Sequence, residues 1–234
     1  MKPPYELLVI VPSRGRPQNA WDLVQSWNET TRDPHSQLAI VQDDDDPWYG
    51  IGDVDIQCYK APAGDPGFVA PLNWAVKRLV APGGAQVVGF IGDDHRPRTE
   101  GWDARVNWAL EEMGSGIVYG DDLLQGERLP TAVFMTADIV TALGWMAPPC
   151  LSHMYADNFW LELGRELGCL RYLPDVVIEH LHPVVGKAPS DATYARTGVL
   201  MDTDHERYKN YMVNDFDADV ARVRLAIQQE QGGS

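Results

Sequence analysis

Val87-Val88-Gly89-Phe90-Ile91-Gly92-Asp93-Asp94-His95-Arg96-Pro97-Arg98 holds a short apolar run that ends abruptly in two carboxylates and an imidazole. The run Val87, Val88, Phe90, Ile91 is apolar on both faces, which predicts a strand buried on both sides in a parallel sheet. Such a strand cannot continue through Asp93-Asp94-His95 without burying charge, so the chain is expected to leave the sheet at Gly92. Open α/β sheets bind ligands just beyond the carboxyl ends of their strands. Carboxylate oxygen with imidazole nitrogen at such an end suits Mg²⁺ or Mn²⁺. Gly-Asp-Asp followed by Pro97 is also good turn chemistry, and the segment alone leaves both readings open.

Toward the N-terminus the same pattern recurs. Glu6–Val11 (ELLVIV) is a near-continuous apolar run that breaks into Pro12-Ser13-Arg14-Gly15-Arg16-Pro17. Pro17 fits the first turn of a helix, where no N–H is needed. Ala20, Leu23, Val24 and Trp27 then follow at i, i+3, i+4, i+7 spacing. Leu38–Val41 predicts a second strand, ending in Asp43-Asp44-Asp45-Asp46, and Ile56–Tyr59 a weak third. Leu72, Ala75, Val76 and Leu79 give a second helix before the opening strand, and Val106, Ala109, Leu110 and Met113 a third after it. Strand-to-helix units of this kind, each right-handed, build an α/β fold around a mostly parallel sheet flanked by helices.

Past residue 114 the texture changes. Ile117–Tyr119 and Thr131–Met135 are short strands around Gly120-Asp121-Asp122, Ala137–Leu143 is a helix stopped by Gly144, and Tyr155–Leu167 is a longer one. Pro174–Glu179 predicts a strand running into His180-Leu181-His182. The spacing of Val213, Phe216, Val220, Val223 and Ile227 predicts one C-terminal helix packed on the sheet, with Asp215, Asp217 and Asp219 on a solvated face. Trp48, Trp102 and Trp145 fall in expected loops, where aromatic faces either stack on a sugar or base or, more commonly, simply pack. The expected organisation is a single domain over 1–234: a nucleotide-binding half to about 114, an acceptor and metal half over about 115–200, and the C-terminal helix over 201–230.

Composition narrows the partners. The chain has 234 residues, 44% of them hydrophobic, and a formal net charge of −15. That charge argues against non-specific affinity for nucleic acid, which rests on neutralising phosphates. A small anionic ligand stays compatible with it, because local arginines and a metal reverse the field inside one cleft. Arg14, Arg16, Arg96 and Arg98 cluster near the strand ends, and bidentate arginine suits phosphate. No apolar run approaches the roughly 18 residues of a membrane span. The three cysteines form no CxxC pair, which excludes a zinc knuckle and makes the cytoplasm the expected compartment. Because parallel strands share one carboxyl edge, the clusters Pro12–Arg16, Asp43–Asp46 and Asp93–His95 should converge there, with His180–His182 a fourth polar strand end.

In that order and spacing, these motifs resemble a GT-A glycosyltransferase, the nucleotide-sugar-dependent class with a metal-binding Asp-x-Asp. Val11–Pro17 resembles the first-strand loop that contacts the base, and Asp43 the acid that holds base or ribose. Asn73 is similar to a nucleotide-side Asn, and Gly92-Asp93-Asp94-His95 lies where Asp-x-Asp belongs. Asp157, in Tyr155-Ala156-Asp157-Asn158-Phe159-Trp160, resembles the catalytic base of inverting members, and His180 the closing metal ligand. The resemblance implies a nucleotide-binding set of Pro12, Ser13, Arg14, Arg16, Asp43, Asp45, Asn73, Asp93 and Lys187. It implies Mn²⁺ or Mg²⁺ on Asp94 with His180 or His182, a nucleotide-sugar donor and a hydroxyl acceptor. The compact size is similar to that of small bacteriophage glycosyltransferases, some of which modify DNA bases; the charge weighs against a DNA acceptor.

The acidic motif departs from Asp-x-Asp. Either Asp93 takes its first position with His95 as the second ligand, or Asp94 is the ligand and Asp93 binds ribose or metal-bound water. Asp157 is also an apt helix N-cap residue. His180 and His182 alternate along a strand, so only one should face the cleft. Lys187–Tyr194 (KAPSDATY) resembles a lid over the donor, and equally a surface loop. A sugar-phosphate nucleotidyltransferase and a non-catalytic sugar-nucleotide-binding protein are the alternatives. The single glycine of Ser13-Arg14-Gly15-Arg16 counts against the former, which carries a Gly-rich phosphate loop.

Overall fold

A computed structural model describes residues 5–46, 57–64, 66–80, 83–183, 186–187, 195 and 198–232. Its centre is β1 (Tyr5–Pro12), where Leu7, Val9 and Val11 point to one face of the sheet and Leu8 and Ile10 to the other, all buried. Only a strand flanked on both sides by others and covered on both faces reads this way. β1 pairs in parallel with β2 (Ser36–Asp43) and with β4 (Ala85–Phe90), and β2 with β3 (Gln57–Ala61). The eight strands of the described residues form one curled sheet in the order β3-β2-β1-β4-β7-β6-β8-β5. Helices α1 (Pro17–Thr30) and α3 (Trp102–Met113) cover the Leu7 face. The Leu8 face is covered by α2 (Val69–Ala75), α4 (Ala137–Leu143), α5 (Ala156–Leu167) and the C-terminal helices. This is the α/β, mostly parallel, GT-A-like architecture.

The second half adds the antiparallel pairings. β7 (Val133–Thr136) runs antiparallel between β4 and β6 (Ile117–Asp121), and β8 (Leu170–His180) runs parallel to β6. The chain leaving β4 turns through Gly92–Asp94 and returns as β5 (His95–Pro97), antiparallel to β8 with His95 opposite His180. β4 and β7 approach closely because Gly89 has no side chain: a Cβ there would lie 2.5 Å from the Phe134 ring.

Four expectations are corrected. The stripe Leu72, Ala75, Val76, Leu79 does not run on as one α-helix. α2 passes into a π-helical turn over Val76–Val80, whose extra residue per turn buries Val80 and leaves Leu79 only partly covered. The single C-terminal helix is two, α6 (Met201–Asn214) and α7 (Phe216–Gly232), broken at Asp215. The break changes the helical phase, so Val213 is 83% exposed, while Phe216, Val220 and Val223 stay in the core. Asp219 is no solvated acid; it is buried, accepting the Tyr211 hydroxyl at 2.8 Å and paired with Arg222. Trp102 is wholly buried in the first turn of α3, and Trp145 packs on Phe159 and Tyr211; Trp48 lies outside the described residues.

Among the described residues no helix is long and apolar enough to cross a membrane. The close approach at Gly89 is testable. Gly89→Ala forces a methyl into the Phe134 ring, an overpacking that costs about 1–3 kcal/mol of unfolding free energy. Urea denaturation of the two proteins measures it, and an unchanged midpoint contradicts the packing described.

Candidate active site

Three strand-end loops are tied to one another by charge. Ser13 extends the β1–β2 ladder by one bond (Ser13 N–H to Val41 O, 2.9 Å). Its hydroxyl donates to Asp93 Oδ2 at 2.8 Å, while Arg16 Nη1 donates to Asp93 Oδ1 at 3.1 Å and lies 3.6 Å from Asp94 Oδ2. Arg14 donates to Asp43 at 2.7 Å and makes a bidentate pair with Asp45. Gly15 N–H donates to Asp46 Oδ2 at 2.9 Å. The convergence expected of the first three clusters is therefore present as direct side-chain bonds.

The β5–β8 pairing brings in the fourth. His180 N–H donates to Asp122 O and Leu181 N–H to Asp94 O, each at 2.9 Å, so the Asp94 main chain is held by the strand that carries the histidine. His95 Nδ1 lies 3.1 Å and His180 Nε2 3.6 Å from Asp94 Oδ1. The two rings stack with centroids 4.0 Å apart and planes 18° apart. His182 meets His180 edge-on at 5.2 Å.

Burial works against ionisation of both acids, with opposite outcomes. Burial, then the neighbouring Asp94 charge, pushes the Asp93 carboxyl up to about 6 against the pull of Arg16. At Asp94 burial also disfavours charge, but the His180 and His95 imidazoles outweigh it and hold the carboxyl well below its usual range. Burial, then the His180 charge, lowers His95 to about 4, which makes it a neutral ring at pH 7. Asp94 is thus an ionised carboxylate beside a His95 ring that is neutral at pH 7.

Asp94, His95 and His180 each offer a donor atom within 4.8 Å of the others, a group able to hold a cation. The stacking divides their parts. Nitrogen lone pairs lie in the ring plane, and two nearly parallel planes stacked face to face cannot both contain one ion. His95 has its nitrogens at Asp94 and, at 3.4 Å, at the Thr131 hydroxyl, which itself donates to Asp122 at 2.7 Å. His180 Nδ1 is buried with no hydrogen-bond partner. His180 faces the ionised Asp94 through Nε2 and keeps Nδ1 free of hydrogen bonds, so this pair fits a cation better than one that includes His95.

These groups form one wall of a cavity of about 640 Å³. The lining also includes Pro12, Ser13, Arg14, Arg16 and Asp43 from the first two strand-end loops, the apolar Phe68, Pro71, Phe90 and Trp160, and Met154, Tyr155 and Asp157 from the start of α5 and the residues before it. Asp157 is the second residue of α5 and does not cap it; Tyr155, at φ +69°, holds the cap position. Its Oδ1 accepts Asn158 N–H at 2.9 Å, and burial raises its carboxyl above the usual range.

Some expected site residues lie elsewhere. Asn73 is a buried strut whose amide donates to Ala147 O at 2.7 Å and accepts Met146 and Ala147 N–H, so nothing of it faces the cavity. Lys187 bonds Glu179 at 2.8 Å and does not line the cavity; residues 188–194 of the expected lid lie outside the described residues. Asp45 is the exposed partner of Arg14 and also stands off the lining. Asp93, by contrast, does line the cavity while tying the Ser13–Arg16 loop to its own turn. Asp122 serves its own turn, accepting Leu124, Gln125 and Gly126 N–H. Thr131, His153 and Phe68 line the cavity without having been singled out in the sequence.

Comparison with known proteins places the fold. No family model matches the chain, and no curated protein matches it in sequence. Solved structures do. S. aureus TarS 1-349 in complex with UDP-GlcNAc superposes with a TM-score of 0.58 over 83% of this chain and 65% of its own, at 12% identity. The mannosyltransferase PcManGT from Pyrobaculum calidifontis, in complex with GDP-Man and Mn²⁺, superposes with a TM-score of 0.58 over 100% of this chain and 78% of its own, at 12% identity. The chain spans between 36% and 65% of the TarS chains it matches. At these identities the likeness shows a shared GT-A-like fold.

His153 supplies a test of the cavity's dryness. Its ring meets Phe68 edge-on at 5.0 Å, and burial lowers it to about 4 from 6.5. Between those values the unfolded chain binds more protons at this residue than the folded one. The stability it confers is therefore complete above about pH 6.5 and lost as pH falls toward 4. His95 acts in the same direction and Asp93 in the opposite one, so the comparison is made by difference. His153→Phe is expected to lose less urea stability than wild type between pH 6.5 and 4; equal losses in both proteins contradict the shift.

Proposed function

We propose that the chain is a metal-dependent glycosyltransferase that moves a sugar from a nucleoside-diphosphate donor to a hydroxyl acceptor. The observation that carries this is one cavity lined by an ionised Asp94 beside His180, by Ser13, Arg14 and Asp43 of the first two strand-end loops, and by Asp157. Both solved structures described above were bound to sugar nucleotides, one of them with Mn²⁺. Asp94 and His180 would hold the cation; an imidazole in the donor set suits Mn²⁺ better than Mg²⁺, which favours an all-oxygen shell. Bound there, a divalent ion supplies Lewis-acid neutralisation of charge on a departing diphosphate.

The protein's own groups do the rest. Asp43, held by Arg14, presents a carboxylate for the base or ribose, while Arg14 and Arg16 have carboxylates as partners and serve first to fix the loops. Asp157 takes the proton of the acceptor hydroxyl as its oxygen bonds the anomeric carbon. The anomeric C–O bond to phosphate breaks, and its electron pair leaves with the nucleoside diphosphate. A raised carboxyl makes Asp157 a stronger base than a solvated one, and general-base assistance of this kind contributes about 10²–10⁴-fold. The apolar side of the cavity keeps water from the reacting carbon.

Two measurements check this. Calorimetry with UDP and GDP is expected to show binding in the presence of Mn²⁺ that weakens at least about tenfold with a chelator or in Asp94→Ala, a charge-assisted contact being worth about that much. No metal-dependent binding of any nucleoside diphosphate contradicts the assignment. Asp157→Asn is expected to bind the diphosphate within about twofold of wild type while sugar transfer, or slow donor hydrolysis by water, drops by about 10²-fold or more. Unchanged turnover removes Asp157 as the base.

A further inference from the structure

The cavity wall that carries Asp157 is held from outside by a carboxylate on α6. Asp204 is completely buried. Its oxygens accept three consecutive main-chain N–H groups: Ser152 at 3.1 Å, His153 at 2.8 Å and Met154 at 2.9 Å. Arg207, one turn on, donates to the Ser152 hydroxyl at 2.9 Å and lies 3.5 Å from Asp204. The same helix reaches the next residue, for His205 Nδ1 meets the Tyr155 hydroxyl at 3.0 Å and Tyr208 stacks on the Tyr155 ring. On the far side the loop is pinned by Val69 N–H to Ser152 O, where Gly67 leaves no room for a side chain.

Such a loop could not hold this shape unaided. Three successive N–H groups aimed at one point are a small anion site with no intrinsic reason to form, and Tyr155 adds a left-handed φ of +69° that a non-glycine residue adopts only under outside constraint. Asp204 supplies the anion permanently, from within the chain. The constrained segment ends at Tyr155, two residues before Asp157, so the Asp204 contacts fix the entry to the first turn of α5, whose inner face is held separately by Phe159, Trp160 and Leu163 in the core. The Ser13–Arg16, Asp43–Asp46 and Asp93–His95 loops, and His180, have no bond to Asp204.

We infer that Asp204 is a positioning residue for the base: it fixes Ser152–Tyr155 and through them sets the place of Asp157, without touching donor or acceptor. The inference rests on the proposed role of Asp157, and the test separates the two. Asp157→Asn, Asp204→Asn and the double variant are compared for donor hydrolysis and for calorimetric binding of UDP or GDP with Mn²⁺, whichever wild type binds.

Asp204→Asn is expected to slow turnover at least tenfold while diphosphate binding stays within twofold of wild type. The double variant is expected to turn over no more slowly than Asp157→Asn alone, since residues acting through one group are not additive. Multiplied losses in the double variant, or a binding loss equal to the turnover loss, overturn the inference. Wild-type turnover in Asp204→Asn overturns it too, with Asp157 untouched as the base. Wild-type turnover in Asp157→Asn overturns the base reading itself, and with it any action of Asp204 through that residue. Should Asp204→Asn not fold, Tyr208→Leu combined with His205→Ala loosens the same loop from α6, away from the cavity lining. That pair is expected to lower turnover about threefold or more with binding unchanged, and no effect overturns the inference.

Discussion

A carboxylate taken out of water stays charged only where the protein replaces the solvation it has lost. Asp94 meets that condition through two imidazoles and the approach of Arg16. Each of these comes from a different part of the chain: the turn after β4, the loop after β1 and the end of β8. An ionised Asp94 therefore requires the three to be assembled, and their assembly defines one wall of the cavity. Asp93, one residue earlier, is the contrast. It lies equally deep, but its partners are Ser13 and Arg16, and its carboxyl rises to about 6 where that of Asp94 falls.

The division of labour follows from which groups have their partners already. Asp93, Arg14, Arg16, Asp46 and His95 are occupied with one another or with neighbouring hydroxyls, and they make the rim rigid before any ligand arrives. Preorganisation of that kind lowers the cost of aligning a charged donor. His180 keeps one buried nitrogen without a partner, and Asp157 bonds only within its own turn. The groups left available are those the chemistry would use.

Much of the frame was legible in the sequence because it depends on patterns one element long. Leu7 to Val11 announce a central strand by being apolar on both faces, and the turn at Gly92 follows from Asp93-Asp94 ending a dry strand. What was not legible depends on pairings between distant residues. Nothing in Asn73 distinguishes a ligand from a strut until Ala147 is seen at its amide. The register that sets His95 against His180 is a three-residue pairing too short to leave a pattern. The C-terminal stripe misled because Val213 falls in phase with Phe216 only if the helix is continuous, and Asp215 breaks it. Asp204 carries no pattern of its own in the sequence; its three N–H partners lie about fifty residues upstream, beyond the reach of any local rule. A signal for His153 was present in Ser152-His153-Met154-Tyr155, the polar and aromatic lead into Asp157.

In the proposed site Asp94 and His180, with His95 packed behind them, would hold the cation. Electron spin-echo spectroscopy of bound Mn²⁺ reads this directly, since a ligating imidazole nitrogen modulates the echo of the metal. The account predicts a nitrogen modulation in the wild-type protein that vanishes in His180→Ala and persists in His95→Ala. A modulation that survives loss of His180, or one that disappears with His95 alone, contradicts it.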